Sequence, residues 1–378
     1  MLAFLLAGGS IILGSYAALV LRRWWAWHNI PRFTSEGSLA TTTVSVLIPV
    51  RNEARHLGQL LHDLNAQAYP PHLFEILVID DHSEDETAAC VTEFSQTSSL
   101  NLQLIQLADY PGKSQKKAAL SQGIAFATGE LILQTDGDCR VPPQWLSTFA
   151  AYYEQTKMQC ISGPVCLEPD GSMFSGLQVV EFAALVAIGG ASIALESPNM
   201  CNGANLAYTR QAFREVHGFA GNEHVASGDD EFLLHKIAAR YPGQIAFIKS
   251  PEAIVKTQAK ETVGELLNQR VRWASKWPHY RQKGIKMLAV VVFAANLVLM
   301  LALLGGIFKM VPVKAVVGFY VVKLGADGIL LATVLPFFKY RRYIWYMLPL
   351  QLIYVPYVVY TALKGLRGTY SWKGRRVN

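Results

Sequence analysis

From residue 44 onward, short apolar runs alternate with stretches of helical period. "VSVLIPV" predicts a buried strand, followed by a helix from about Glu53 to Gln67. "EILVID" predicts a second strand, with a helix after Ser83, and "LQLIQL" a third, with a helix from about Lys116 to Ala127. "LILQTD" is the fourth strand. Such alternation predicts a parallel sheet with helices on both faces, and ligands in such sheets bind at the carboxyl ends of the strands.

Other apolar runs are longer. Residues 2–21 carry no charge and are followed by Arg22 and Arg23. About 20 apolar residues span a bilayer core. The run lacks the basic leader and short apolar core of a cleaved signal, so it is expected to be a retained anchor over 1–23. Near the C-terminus, 287–308 and 343–363 are uncharged, and 315–338 is interrupted by Lys323 and Asp327. Those two are either helical i,i+4 partners or the mark of a polar pathway. The expected organisation is an anchor (1–23), a globular domain (41–285), a membrane region (286–363) and a basic tail (364–378). Residues 173–195 are also long enough to span, but Gln178 and Glu181 interrupt them. A crossing there would separate Asp138 from Asp230, so a buried or interfacial helix is expected.

Arg22 and Arg23 place the globular domain in the cytoplasm of an inner or cell-membrane protein by the positive-inside rule. Lys339, Arg341, Arg342 and the tail are drawn to the same side, yet four simple crossings would put the tail outside. Either 343–363 is re-entrant or interfacial, or the tail breaks the rule. The chain is 51% hydrophobic and only 16% charged, with a net charge of +6. Much of that charge flanks the membrane runs, where anionic lipid accounts for it without nucleic acid. Five scattered cysteines without metal-ligand spacing suit a reducing compartment.

Acidic residues follow three of the strands, in "PVRNEA", "DDHSEDET" and "DGDCR". Ser83 or Asp85 capping a helix explains part of the second cluster but not the recurrence. Asp136 and Asp138 end the fourth strand, where residues i and i+2 point the same way, so the two carboxylates are expected to converge, and a hard divalent cation between them removes their repulsion and bridges diphosphate oxygens. There is no "GxxxxGK[ST]" loop, and no "GxGxxG" follows the first strand, so neither a P-loop nor a dinucleotide fold is supported.

Six ordered segments, "VSVLIPVRNEARHLGQLL", "VIDDHSEDET", "GKSQKKAALSQGIAFATGELILQTDGDC", "CNGANLAYTRQAF", "SGDDEFLLHKI" and "QRVRW", resemble the membrane-embedded family 2 glycosyltransferases, the group of cellulose, chitin and hyaluronan synthases and ceramide glucosyltransferases. The resemblance covers about residues 41–285. It implies an α/β GT-A domain between terminal membrane helices, a nucleotide-sugar donor (most often a UDP-sugar), Mg²⁺ or Mn²⁺, and inversion at the anomeric carbon. It matches Glu53 and Asp81 to ribose and base contacts and Lys113 or Lys117 to the donor lysine. Asp136 and Asp138 match the metal motif, with Gly137 where alanine is more usual. Asp230 matches the catalytic base. Arg272 falls on the donor side, and Gln269 and Trp273 on the acceptor side with Asn202 and Asn205. Trp273 and Trp277 also suit a membrane interface, and Asp229 and Asp230 a helix cap.

The leading expectation is an enzyme that glycosylates a membrane lipid or lipid-linked acceptor. A processive polysaccharide synthase is the alternative within the class. A nucleotide-binding membrane scaffold or transporter is the alternative outside it.

Overall fold

The computed structural model describes residues 2–35, 40–223, 225, 227–276, 278, 280, 282–367, 370–372 and 375–377. Contacts divide it into two compact units. One comprises Ile30–Glu168 and Ser192–Gln258; the other comprises Met1–Asn29, Pro169–Ala191 and Ala259–Asn378. The division cuts across chain order, because residues 169–191 group with the terminal helices.

The first unit is built on a seven-stranded sheet. Its strands are β1 (Val44–Val50), β2 (Phe74–Asp80), β3 (Leu102–Gln106), β4 (Leu131–Gln134), β5 (Cys160–Ser162), β7 (Leu206–Thr209) and β8 (Ile245–Phe247). The spatial order is β3-β2-β1-β4-β7-β5-β8. β1, β2, β3 and β4 pair in parallel, while β7 runs antiparallel to both β4 and β5. β6 (Val165–Glu168) pairs in parallel with β9 (Val255–Gln258) as a separate ribbon. β1 and β2 are buried along almost their whole length and are mostly apolar, because helices cover both faces of a parallel sheet; the polar Ser45 and Glu75 within them bond to each other. The covering helices show the matching stripe. α2 (Ala54–Asn65) buries Leu57, Leu60, Leu61 and Leu64, the spacing of one helical face. α3 (Thr87–Thr97), α4 (Gln115–Phe126), α5 (Trp145–Thr156), α7 (Arg210–Glu215) and α8 (Asp229–Arg240) complete the unit. Leu47, Leu77, Ile79, Leu120, Tyr208 and Leu233 belong to its core.

The second unit is helical: α1 (Leu2–Asn29), α6 (Met173–Ala194, whose last turn falls in the first unit), α9 (Val263–Ala274), α10 (Lys283–Ile307), α11 (Val313–Phe337) and α12 (Met347–Gly365). A short antiparallel pair, β10 (Tyr370–Trp372) and β11 (Arg375–Val377), follows. Among the described residues, five helical segments are long and apolar enough to cross a membrane. In four of them 22–28% of the apolar window is buried, whereas in α6 the figure is 67%. α6 is therefore the interior helix of the five, which agrees with a buried helix over 173–195.

Lys323 and Asp327 are helical partners, with Nζ to Oδ2 at 2.6 Å. The pair is part of a closed network. Lys323 also donates to Gln351 Oε1 (2.8 Å), Gln351 Nε2 donates to Asp327 Oδ2 (2.7 Å), and the Tyr16 hydroxyl donates to Asp327 Oδ1 (2.7 Å). Each polar group thereby gains a partner, as burial among apolar helices requires.

Candidate active site

The site lies at the carboxyl ends of β1, β2 and β4. Here the chain takes positive φ at Asn52 (53°), His82 (58°) and Gln115 (74°), a region costly for residues with a side chain. Such strain persists where surrounding bonds fix it. Arg51 provides several of them. Its buried guanidinium donates to the carbonyls of Asp81 (2.8 Å) and His82 (2.6 Å) and to Glu84 (3.0 Å). Asn52 and Ser83 add two more bonds, Asn52 N–H to Ser83 Oγ (3.0 Å) and Glu84 N–H to Asn52 Oδ1 (2.8 Å). The two strand-end loops are thus stitched into one floor.

Asp81 is buried in this floor and accepts the N–H of Gln115 (3.1 Å), tying the start of α4 to β2. Asp80 accepts the backbone and hydroxyl of Ser83 and holds the turn. The helix cap of "DDHSEDET" falls one residue away from Asp85, at Glu86, which makes no side-chain cap bond. Asp85 nevertheless accepts the Thr87 N–H at 3.1 Å.

One expectation is corrected here. β4 ends at Gln134, and Cys139 N–H bonds to Asp136 C=O (3.1 Å). Asp136 and Asp138 therefore sit in a tight turn, and strand alternation does not bring them together. The turn packs closely on β1. A methyl group on Gly137 would lie 2.9 Å from Val50 Cγ1 and 3.2 Å from Glu53 Cγ. Glycine at this position is thus a requirement of close approach, and it stands Glu53 beside the aspartates.

Lys116 enters this cluster. Its ammonium lies 2.6 Å from Asp136 Oδ1 and 3.5 Å from Asp229 Oδ2. Gln134 Nε2 reaches the same Asp229 oxygen at 3.3 Å. Burial works to lower the Lys116 pKa, but Asp136 and Asp229 outweigh it and raise it above the ordinary lysine value. Burial likewise works to raise Asp229, and the Lys116 charge outweighs it and holds the carboxyl below its ordinary range. Asp230 stands in the first turn of α8 after Gly228, which takes φ 80°. Its Oδ2 accepts Gly203 N–H (3.0 Å) and its Oδ1 accepts Glu231 N–H (2.8 Å). The cap expected of Asp229 and Asp230 is not formed: the N-cap is Gly228, without a side-chain cap bond, and the two aspartates are acids of the first turn, where the helix dipole favours them.

The other residues singled out fall elsewhere. Lys113 donates to Gln122 Oε1 (2.8 Å). Lys117 donates to the carbonyls of Asn222 and Val225 (both 2.7 Å). Lys116, which the motif match does not include, is the lysine that meets the aspartates. Asn202 closes a local turn through Ala204 N–H (3.0 Å). Asn205 cannot touch an acceptor, which corrects that expectation. It is 0% exposed, donates to Pro164 and Ala253 carbonyls, and accepts Trp145 Nε1–H. Gln269, Arg272 and Trp273 lie on α9 in the helical unit, which opens with a Thr262–Glu265 capping box. Trp277 lies outside the described residues.

For a divalent ion, no group of three or more His, Cys, Asp or Glu side chains is disposed to hold a metal among the described residues. Asp136 and Asp138 are hard oxygen donors of the kind Mg²⁺ takes one or two at a time, with substrate phosphates and water completing its shell, and here Asp136 is bound to Lys116.

The parallel-dominated sheet, with acids and the half-buried Lys116 at its strand ends, matches solved structures of the GT-A type. The chain belongs to the family 2 glycosyltransferases. The model for glycosyl transferase family 2 matches residues 45–215, and that for glycosyl transferase family group 2 matches 131–360. The chain is 27% identical over 237 residues to glycosyltransferase AglE of Haloferax volcanii, covering 61% of this chain and 71% of that protein. It is 24% identical to a poly-beta-1,6-N-acetyl-D-glucosamine synthase of Staphylococcus epidermidis over 61% of this chain and 53% of that one. An undecaprenyl-phosphate 4-deoxy-4-formamido-L-arabinose transferase of Klebsiella pneumoniae is 34% identical, over only 29% of this chain and 32% of its own length. Among solved structures, the mannosyltransferase PcManGT of Pyrobaculum calidifontis, in complex with GDP-Man and Mn²⁺, aligns over 93% of this chain and 99% of its own. The TM-score is 0.59 at 20% identity, a likeness of fold.

Proposed function

We propose that the chain moves a sugar from a nucleotide-diphosphate donor of the UDP type to a lipid or lipid-linked acceptor at the membrane, with inversion. The observation that carries this is Lys116 held between Asp136 and Asp229, one residue from Asp230, at the strand ends of a family 2 fold. The acceptor oxygen attacks the anomeric carbon as the bond to the diphosphate breaks. Asp230 takes the hydroxyl proton, its carboxylate oriented by Gly203 and Glu231 N–H groups. Lys116 and Arg272 are assigned to the charge that develops on the leaving diphosphate. A Mg²⁺ or Mn²⁺ ion on Asp136 and Asp138 would neutralise more of that charge. Glu53 and Asp81 are assigned to the nucleoside, and Gln269 and Trp273 to the acceptor, on the motifs alone.

The lipid acceptor is supported by the apolar helices and by the likeness to undecaprenyl-phosphate and dodecaprenyl-phosphate enzymes. The catalytic face is assigned to the cytoplasm because Arg22, Arg23, Lys339, Arg341 and Arg342 gather at one end of α1 and α11.

The test is a donor screen on membranes, reading nucleotide release and an organic-extractable product. We expect a UDP-sugar to give divalent-dependent release and a lipid product, with Asp138→Ala reduced by about 10²-fold or more. Full turnover in excess chelator would falsify the metal site. A growing water-soluble polymer in place of the lipid product would replace the acceptor class.

A further inference from the structure

Two polar residues interrupt the apolar run of α6, and both are engaged with the segment that carries "QRVRW". Gln178 clasps the backbone of Lys260 twice, donating to its carbonyl and accepting its N–H, both at 2.9 Å. One turn on, Glu181 meets Arg270 through two parallel bonds, Nε to Oε1 at 3.2 Å and Nη2 to Oε2 at 2.8 Å. These side chains are 7% and 6% exposed. The guanidinium carbon lies 4.2 Å from the centroid of the Trp273 ring, and Phe182, next to Glu181, stands 6.3 Å from that ring. Tyr357 of α12 donates its hydroxyl to Glu181 Oε1 at 3.0 Å.

A buried ion pair is a poor source of stability, since apolar residues of similar size often serve as well. Its particular property is orientation. A guanidinium forked by a carboxylate is held in one plane, and an indole stacked on it takes its plane from the arginine. We propose that Glu181 is a positioning residue for sugar transfer: through Arg270 it sets the plane of the Trp273 ring against which the acceptor packs. The functional half of this rests on the acceptor role given to Trp273 above. Of the two arginines in the motif, Arg270 is committed inward to α6.

Glu181→Gln keeps the side-chain shape and an oxygen for Tyr357 and removes the charge that fixes Arg270. Two measurements are needed, the acceptor KM alongside donor hydrolysis, and the rate at which N-bromosuccinimide oxidises Trp273, read by peptide mass. We expect the acceptor KM to rise about tenfold, hydrolysis to stay within about twofold, and Trp273 to oxidise several-fold faster. Unchanged oxidation of Trp273 would overturn the proposal. Faster oxidation with an unchanged acceptor KM would support the clamp and overturn the acceptor role of Trp273. The double variant Glu181→Gln with Arg270→Met leaves no buried charge unpaired, so it guards against loss of the fold. It should show the same rise in acceptor KM, and a wild-type value there would also overturn the proposal.

Discussion

Lys116 and Lys117 are neighbours in sequence and point apart, as adjacent helical residues must. Lys116 reaches Asp136 and Asp229, while Lys117 holds the loop at Asn222 and Val225 and lies over the Phe232 ring, 5.0 Å from its centroid. Lys116→Met should cost turnover about 10²-fold or more by unbalancing the carboxylates. Lys117→Met should mainly lower the melting temperature, and the two readouts measured on both variants would separate the roles. Equal turnover loss in both would refute the assignment. The pair also fixes a pH dependence. Because the Asp229 pKa is depressed below its ordinary 3.8, its contribution to stability is complete above that value and is lost as pH falls through the lower, folded value. The raised Lys116 stays charged throughout the neutral range, so no loss arises from it there. The acids of this site were legible because they recur after apolar runs. Which of three lysines faces them was not, since that depends on where α4 starts, and the positive φ at Gln115 shifts its phase. Asn205 shows the opposite failure, a polar residue in a functional motif whose burial no local pattern reveals.

At the scale of elements, β1 to β4 and their helices were readable because continuous apolar runs and helical stripes differ in period. β5, β7 and β8 were not, being three or four residues long and fixed by long-range pairing. The turn after β4 is the instructive case. A strand continued through Asp138 would have joined the two carboxylates by alternation; the actual turn joins them to β1 instead, through the contact of Gly137 with Val50 and Glu53. Gly137→Ala, although it installs the residue more usual in the family, should therefore shift this turn and lower turnover by about tenfold. Trimming the facing side chain should relieve it, so Gly137→Ala with Val50→Ala should regain most of the loss. Wild-type kinetics in the single variant would show that the turn has slack. α6 carries the same lesson in the other direction. Gln178 and Glu181 were visible as interruptions of an apolar run, but their partners lie over 80 residues away in sequence.

At the scale of the whole molecule, the contacts within the helical unit bear on the conflict in the positive-inside pattern. α10 and α11 form a hairpin, since Gly305 packs on Val311 and Gly306 on Val316. α11 therefore ends on the side where α10 begins. α1 runs parallel to α11, with Gly9 against Phe319, Tyr16 bonded to Asp327 and Trp27 against Phe337. α12 starts after the short 3-10 helix Arg341–Tyr346, on that same side. Its last residue, Gly365, packs against Ala274 and Ser275 at the end of α9, shortly before α10 begins. The chain thus enters and leaves α12 on the side from which α10 departs, while Gln351 reaches Lys323 and Asp327 midway along α11, so the arrangement to test is a re-entrant α12 with three crossings, by α1, α10 and α11. Arg22, Arg23, Lys339, Arg341, Arg342, Lys364 and Arg367 then share one face, and the rule no longer conflicts with itself. The exposed apolar residues of α12, such as Leu352, Ile353 and Leu363, would rest in the lipid of that leaflet. The check is labelling of single cysteines in a cysteine-free background with an impermeant maleimide added from outside. Met310→Cys, in the hairpin turn, should label in intact cells. Ser172→Cys, Ser197→Cys and Arg367→Cys should label only after lysis. Labelling of Arg367→Cys from outside would mean that α12 crosses the membrane and that the tail lies on the outer face.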